Sequence, residues 1–172
     1  MLIKPSSSDF PEYYRKYTDT LPNTGILQIY EQQTNEVLKL YNSVSKEMFL
    51  FKYAPSKWTI LEVLGHLIDS EIIMGYRALT YARKDKSNLP LYDHDNYVIQ
   101  GKFNNLNSDL LIEHYATVRK SNLLLFKTFT EKNWNAKGVT GDKDFIASSI
   151  PYILVGHTKH HVNVIKEKYL WN

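Results

Sequence analysis

The sequence predicts an all-α protein: a four-helix bundle with an N-terminal arm and a long loop between its second and third helices. Four segments repeat apolar residues every three or four positions, as helices with one buried face do. Clusters of Pro and Gly separate them, and no stretch carries the strict alternation of a half-buried strand. A chain of 172 residues has the length of one domain and can bury roughly 70% of the surface its unfolded form exposes. Residues 1–172 are therefore expected to form one domain, an arm over 1–25 and the bundle over 26–170.

In the arm, Pro5, Pro11, Pro22, Gly25 and three serines punctuate too often for a long helix. Phe10, Tyr13, Tyr14 and Tyr17 give it something to bury, either against the bundle or as a lid over a pocket, with a short helix from Glu12 to about Tyr17. The first long helix spans Ile26 to about Val44, with Ile29, Tyr30, Val37, Leu40 and Tyr41 on its stripe. Pro55 then breaks the chain. Thr59, followed three residues later by Glu62, forms a capping box that opens the second helix, which carries Ile60, Val63, Leu64, Leu67, Met74 and Ala78 inward and runs to about Arg83. His66 sits beside that stripe and Glu71 projects into its centre.

From Lys84 to Asn107 the periodicity stops, and a long connection of this kind is often functional. Ser108 is the expected N-cap of the third helix, whose stripe is Leu111, Tyr115, Val118, Leu125 and Phe129. Gly138 and Gly141 interrupt again. The fourth helix starts near Ser148 or Ser149, tolerates Pro151 in its first turn and continues to about Tyr169.

Composition narrows the function. With 43% hydrophobic and 23% charged residues the chain is globular rather than disordered. The absence of cysteine excludes disulfides, thiolate metal sites and a cysteine nucleophile, so any thiol chemistry must use a thiol from outside. The net charge of +3 comes from scattered Lys and Arg, which argues against nucleic acid as a partner. No signal-peptide core or membrane span is present in the sequence, so a cytoplasmic protein without a membrane partner is expected.

The chemistry concentrates in Gly156-His157-Thr158-Lys159-His160-His161. One helical turn apart, His157 and His161 fall about 40° from each other in projection, on the stripe of Ile150, Ile153, Leu154, Val164 and Ile165. Imidazoles on a buried stripe need a reason, and two of them can share an ion. His66 is the best third ligand. Three neutral imidazoles suit zinc, nickel, copper or iron(II) and leave positions open, as in a catalytic site. The glutamate that follows the first histidine in a zincin is missing, which disfavours a peptidase. His160 projects to the flank, as an acid/base group or a surface histidine; His94 and His114 are expected to be exposed. Glu71 must be paired: it either orients a ligand histidine or bases a water, or it pairs with Arg77 or Arg119.

The runs Lys57 to Glu71 (KWTILEVLGHLIDSE), Leu89 to Asp95 (LPLYDHD) and Gly156 to His161 (GHTKHH) resemble, in order and spacing, the two histidine motifs and the middle loop of the DinB/YfiT superfamily. The resemblance covers roughly residues 26–170. It implies a four-helix bundle, often a homodimer, with a divalent metal, zinc or nickel, on His66, His157 and His161. It further implies a metal-dependent enzyme acting on a small electrophile with water or a low-molecular-weight thiol, as hydrolase or thiol transferase. Asp93 and Asp95 would then line the entrance. The rival reading is a non-catalytic bundle whose histidines are structural or bind a stabilising metal only.

Overall fold

The computed structural model describes residues 2–170. After a 3-10 turn at Glu12–Tyr14, the arm forms α1 (Arg15–Thr18), and the first long helix is α2 (Ile26–Ser43). The Thr59 hydroxyl accepts the Glu62 amide at 3.0 Å and a Glu62 carboxylate oxygen accepts the Thr59 amide at 2.7 Å. That reciprocal cap satisfies two donors the helix cannot and starts α3 (Ile60–Ala82) where the sequence places it. The remaining helices are α4 (His94–Gly101), α5 (Ser108–Lys127), α6 (Glu131–Trp134) and α7 (Ser149–Lys168). The cap of α5 is Asn107 rather than Ser108: its side-chain oxygen accepts the amides of Asp109 and Leu110 at 2.7 and 3.3 Å.

The bundle is α2, α3, α5 and α7, with α2 and α3 each packed on both α5 and α7. Two apolar pools fill it. One joins Ile26 and Tyr30 of α2, Met74 and Ala78 of α3, Phe126 of α5 and Ile150 to Val155 of α7. The other joins Val37 and Tyr41, Ile60 to Ile68, Leu111 and Tyr115, and Ile165. Residues early in α2 and α7 thus share an end with residues late in α3 and α5, so α3 and α5 run the same way. The chain leaving α3 must travel back along the bundle before α5 can begin. This is the physical reason for the long segment between them.

That segment is more structured than the loop the sequence predicts. It contains β1 (Asn88–Leu89), α4 and a 3-10 turn at Phe103–Asn105. Asp93 caps α4 by accepting the Asn96 amide at 3.1 Å. The segment is pinned to the start of α3 by Thr59, whose hydroxyl donates to Asn104 at 2.6 Å, and by Asn104, whose amide donates to Glu62 at 2.8 Å. The expectation of no strands is also corrected. The β2 (Lys137–Thr140) and β3 (Lys143–Ile146) strands form a hairpin through Gly141, at φ +61°, and β1 adds to β2 in parallel. Strands of two to four residues are too short for an alternation to register, and the parallel pair joins distant segments. The sheet closes one end of the bundle, where the Tyr81 and Thr140 hydroxyls meet at 2.5 Å.

Two glycines permit close approaches beside the histidine motifs. A Cβ on Gly65 would stand 2.3 Å from the Phe103 ring, and one on Gly156 would stand 2.0 Å from the Tyr17 carbonyl oxygen. The crossover segment therefore presses on α3 one residue before His66. The arm presses on α7 one residue before His157.

Candidate metal centre

Helix α3 and helix α7 bring three imidazoles together on the wall of one cavity. The Nε2 atoms of His66 and His157 are 3.0 Å apart, and those of His157 and His161 are 3.1 Å apart. A tetrahedral ion with metal–nitrogen bonds near 2.05 Å would separate its ligands by about 3.3 Å, so the spacing fits a shared cation with little movement. All three rings offer a ligand nitrogen within 4.8 Å of the others. The donor set is chemically suited too, since neutral imidazole is a ligand common to zinc, nickel, copper and iron.

Their surroundings hold the rings in place. Trp58, just before the α3 cap, packs on His66 at 4.8 Å between centroids and stacks on His161 at 6.3 Å with planes 16° apart. The Tyr17 ring, from the arm, meets His157 in a T-shaped contact at 5.4 Å between centroids. Burial pushes the His66 imidazole down to about 4, with His94 adding repulsion. Burial and then the neighbouring histidines push His161 to about 3 and His157 well below its usual value. All three are neutral at pH 7, the form that binds a cation.

These shifts make a prediction for the metal-free protein. Unfolded histidines take a proton near pH 6.5, whereas the folded triad takes one only near pH 4 or below. Between those values the unfolded chain binds more protons, so stability falls as pH drops from about 6.5 toward 4, by at most roughly 1.4 kcal/mol per pH unit per histidine. Urea melts of chelator-treated protein from pH 7.5 to 4.5 test this. A flat profile, or one that His157→Ala leaves unchanged, would contradict it.

The other singled-out residues are distributed unevenly. His160 is exposed on the rim, its ring 5.5 Å from Tyr17 and 5.2 Å from His161. Asp93 and Asp95 are both exposed: Asp93 is the α4 cap, and Asp95 lies 3.8 Å from His94 and borders a neighbouring groove with Trp58 and His161. Glu71 lies in the bundle interior, paired with Arg119 at 2.7 Å. Of the alternatives open for it in the sequence, the buried ion pair is the one formed, with Arg119 and not Arg77.

The cavity, of about 370 Å³, is also walled by His94, Tyr92 and Arg77, which the sequence did not place at the site, and by the arm tyrosines it offered as a lid. His94 is exposed as expected, yet its ring lies 5.9 Å from His66 and it borders the cavity. Tyr13, Tyr14 and Tyr17 of the arm, Tyr92 of the crossover and Arg77 of α3 complete it. The available signal for Arg77 is its spacing: 11 residues after His66 is three turns, on the same helix face.

The fold has solved counterparts. It is similar to YfiT from Bacillus subtilis, described as "a probable metal-dependent hydrolase with an unusual four-helix bundle topology". The TM-score is 0.73 at 18% identity over 95% of this chain and 90% of that one. It is also similar to the mycothiol-dependent maleylpyruvate isomerase, with a TM-score of 0.70 and 14% identity over 86% of this chain but only 61% of that protein. A search of curated protein sequences returned no match. Among the described residues no helix is long and apolar enough to cross a membrane. Residues 29–165 match the family model for the DinB superfamily, and the chain belongs to that superfamily.

Proposed function

We propose that this chain is a metal-dependent enzyme in which His66, His157 and His161 hold a divalent transition ion, zinc or nickel, beside a pocket for a small electrophile. The observation that carries the reading is the convergence of three imidazoles on a cavity wall, with the Nε2 of His157 3.0 and 3.1 Å from those of His66 and His161 and the three ligand nitrogens within 4.8 Å of one another. When bound, the ion supplies Lewis acidity, which brings the pKa of a water or a low-molecular-weight thiol toward neutrality. The protein has no cysteine of its own, so a thiol nucleophile would come from solution. A thiol-dependent relative by fold and a hydrolase-like one support the two variants equally.

The chain's own residues do the rest. Trp58, against His66 and His161, and Tyr17, against His157, restrict the rotation of the triad's rings. His160 is open to solvent, and burial together with Lys16 lowers its pKa, so it is neutral at pH 7 and accepts, at a ring nitrogen, the proton the nucleophile gives up. Asp95 borders the adjoining groove with Trp58 and His161 rather than the cavity itself, and Asp93 is occupied in capping α4.

Metal analysis of untagged protein is expected to find close to one zinc or nickel per chain, with a melting temperature that falls on chelation and returns on reloading. Thiol conjugation and ester or amide hydrolysis assays then separate transferase from hydrolase. Absence of a transition ion and a melting temperature indifferent to added metal would sink the proposal. A stabilising ion with no turnover in either assay would favour the non-catalytic bundle.

A further inference from the structure

The bundle buries two arginines, and it treats them differently. Arg119 is neutralised by Glu71 at 2.7 Å and donates further to Tyr30, Gln33 and Thr34. Arg77 is 3% exposed, yet among the described residues no carboxylate pairs with it. Its guanidinium donates to the Pro90 carbonyl at 2.9 Å, touches the Met74 sulfur at 3.5 Å and lies 5.7 Å from the centre of the Tyr92 ring. A buried cation satisfied only by a carbonyl, a thioether and an aromatic face lacks the counter-charge that burial demands. Arg77 lines the cavity that holds the histidine triad, and no Asp or Glu is among the described residues lining it.

The placement on α3 turns this into a ruler. His66, Ser70, Met74 and Arg77 all line the cavity and fall within about 80° of one another around the helix. The Cα atoms of His66 and Arg77 are about 16 Å apart along the axis. The Arg77 guanidinium folds back over Met74, which brings it roughly one turn, ~5 Å, closer to the triad. Ser70, between the two ends on α3, pairs with the Tyr92 hydroxyl at 3.2 Å, and Tyr14 lines the same cavity. Burial raises the pKa of both tyrosines, so both keep their protons and can donate.

We propose that Arg77 is the anion-recognition residue of this cavity, and that the ligand carries a carboxylate about 10 Å from the atom it presents to the histidine triad. A planar guanidinium matches a carboxylate in bidentate fashion. As the one Lys or Arg among the described lining residues, it balances a single negative charge rather than a phosphate dianion. The inference rests on the cavity being the substrate site of the proposed enzyme. The carboxylate belongs either to the electrophile or to a thiol co-substrate.

Calorimetric titrations of chelator-treated protein distinguish these, using 4-phenylbutyrate against 4-phenylbutan-1-ol and 8-mercaptooctanoate against 8-mercaptooctan-1-ol, an acid whose extended chain sets thiol and carboxylate roughly that far apart. The wild-type protein is expected to bind the acid of at least one pair tenfold or more tighter than its neutral partner. A preference in the phenyl pair assigns the carboxylate to the electrophile, and one in the thiol pair assigns it to the thiol. Arg77→Met should reduce the preference below twofold and leave the neutral partner's affinity unchanged, while Arg77→Lys restores part of it. No acid preference in either pair of the wild-type protein overturns the proposal without any variant, as does a preference that survives in Arg77→Met. Acid preference in a protein that binds no metal would retain Arg77 and sink the metal reading; stoichiometric metal without acid preference would do the reverse.

Discussion

His157→Ala is expected to abolish stoichiometric metal binding while leaving the helical bundle folded. His157 is the central member of the triad, its Nε2 within 3.1 Å of the Nε2 atoms of both other histidines. Without it, His66 and His161 form a two-nitrogen site with no third donor in place. The loss in affinity should exceed the roughly 10–100-fold that follows removal of a group merely orienting a ligand. Because the ring walls an open cavity, its removal widens that cavity rather than leaving a sealed void, and far-UV circular dichroism should be unchanged. His66→Ala and His161→Ala are expected to behave alike, and His114→Ala, at an exposed site on α5, to bind metal normally. His94→Ala tests the triad more closely, since its ring is 5.9 Å from His66; it should also retain the ion. Competition against a chromogenic chelator, with metal content after dialysis, measures all five. Retention of a tightly bound ion by any of the three triad variants would refute the ligand set.

The triad was readable because helical periodicity puts i and i+4 on one face, and because the cap at Thr59 fixes where α3 begins and hence the phase of His66. What escaped reading depends on contacts between distant segments. Nothing local to Leu89 to Asp95 says that α3 and α5 run parallel, so the crossover reads as loop. Its folding back is what carries His94 and Tyr92 onto the cavity. The three tyrosines of the arm could pack on the bundle or cover a pocket, and only the approach of the Tyr17 backbone to Gly156 decides that they form its wall. Arg77 was legible only as a core arginine able to pair with Glu71; its spacing puts it on the His66 face, but its missing counter-ion could not be read there, because pairing is a property of four helices together. The same holds for Glu71, whose partner was narrowed to two arginines and fixed by the packing of α5.

Glu71→Ala is expected to cost about 3–5 kcal/mol, the range for stripping the partner from a buried charge, out of a total stability of roughly 5–15 kcal/mol. The carboxylate accepts from Arg119 at 2.7 Å, from Asn122 at 2.9 Å and from the Tyr30 hydroxyl. Arg119 also lies over the Tyr30 ring and donates to the Tyr30 carbonyl at 2.6 Å, while Gln33 reaches the Val155 carbonyl of α7 at 2.9 Å. One polar layer therefore joins all four helices between the two apolar pools. Removing Glu71 alone leaves Arg119 charged, buried and without its counter-ion; removing Arg119 with it does not. The double variant Glu71→Ala/Arg119→Met should thus be less destabilised than the sum of the single changes by on the order of 1–3 kcal/mol, read from urea midpoints at constant slope. The same variant separates two roles for this carboxylate. If Glu71 only holds the helices in register, the folded fraction of Glu71→Ala will bind metal and turn over like the wild type. Loss of turnover in folded, metal-loaded Glu71→Ala would instead assign it a part in the chemistry, reached through a conformation in which the Arg119 pair is open.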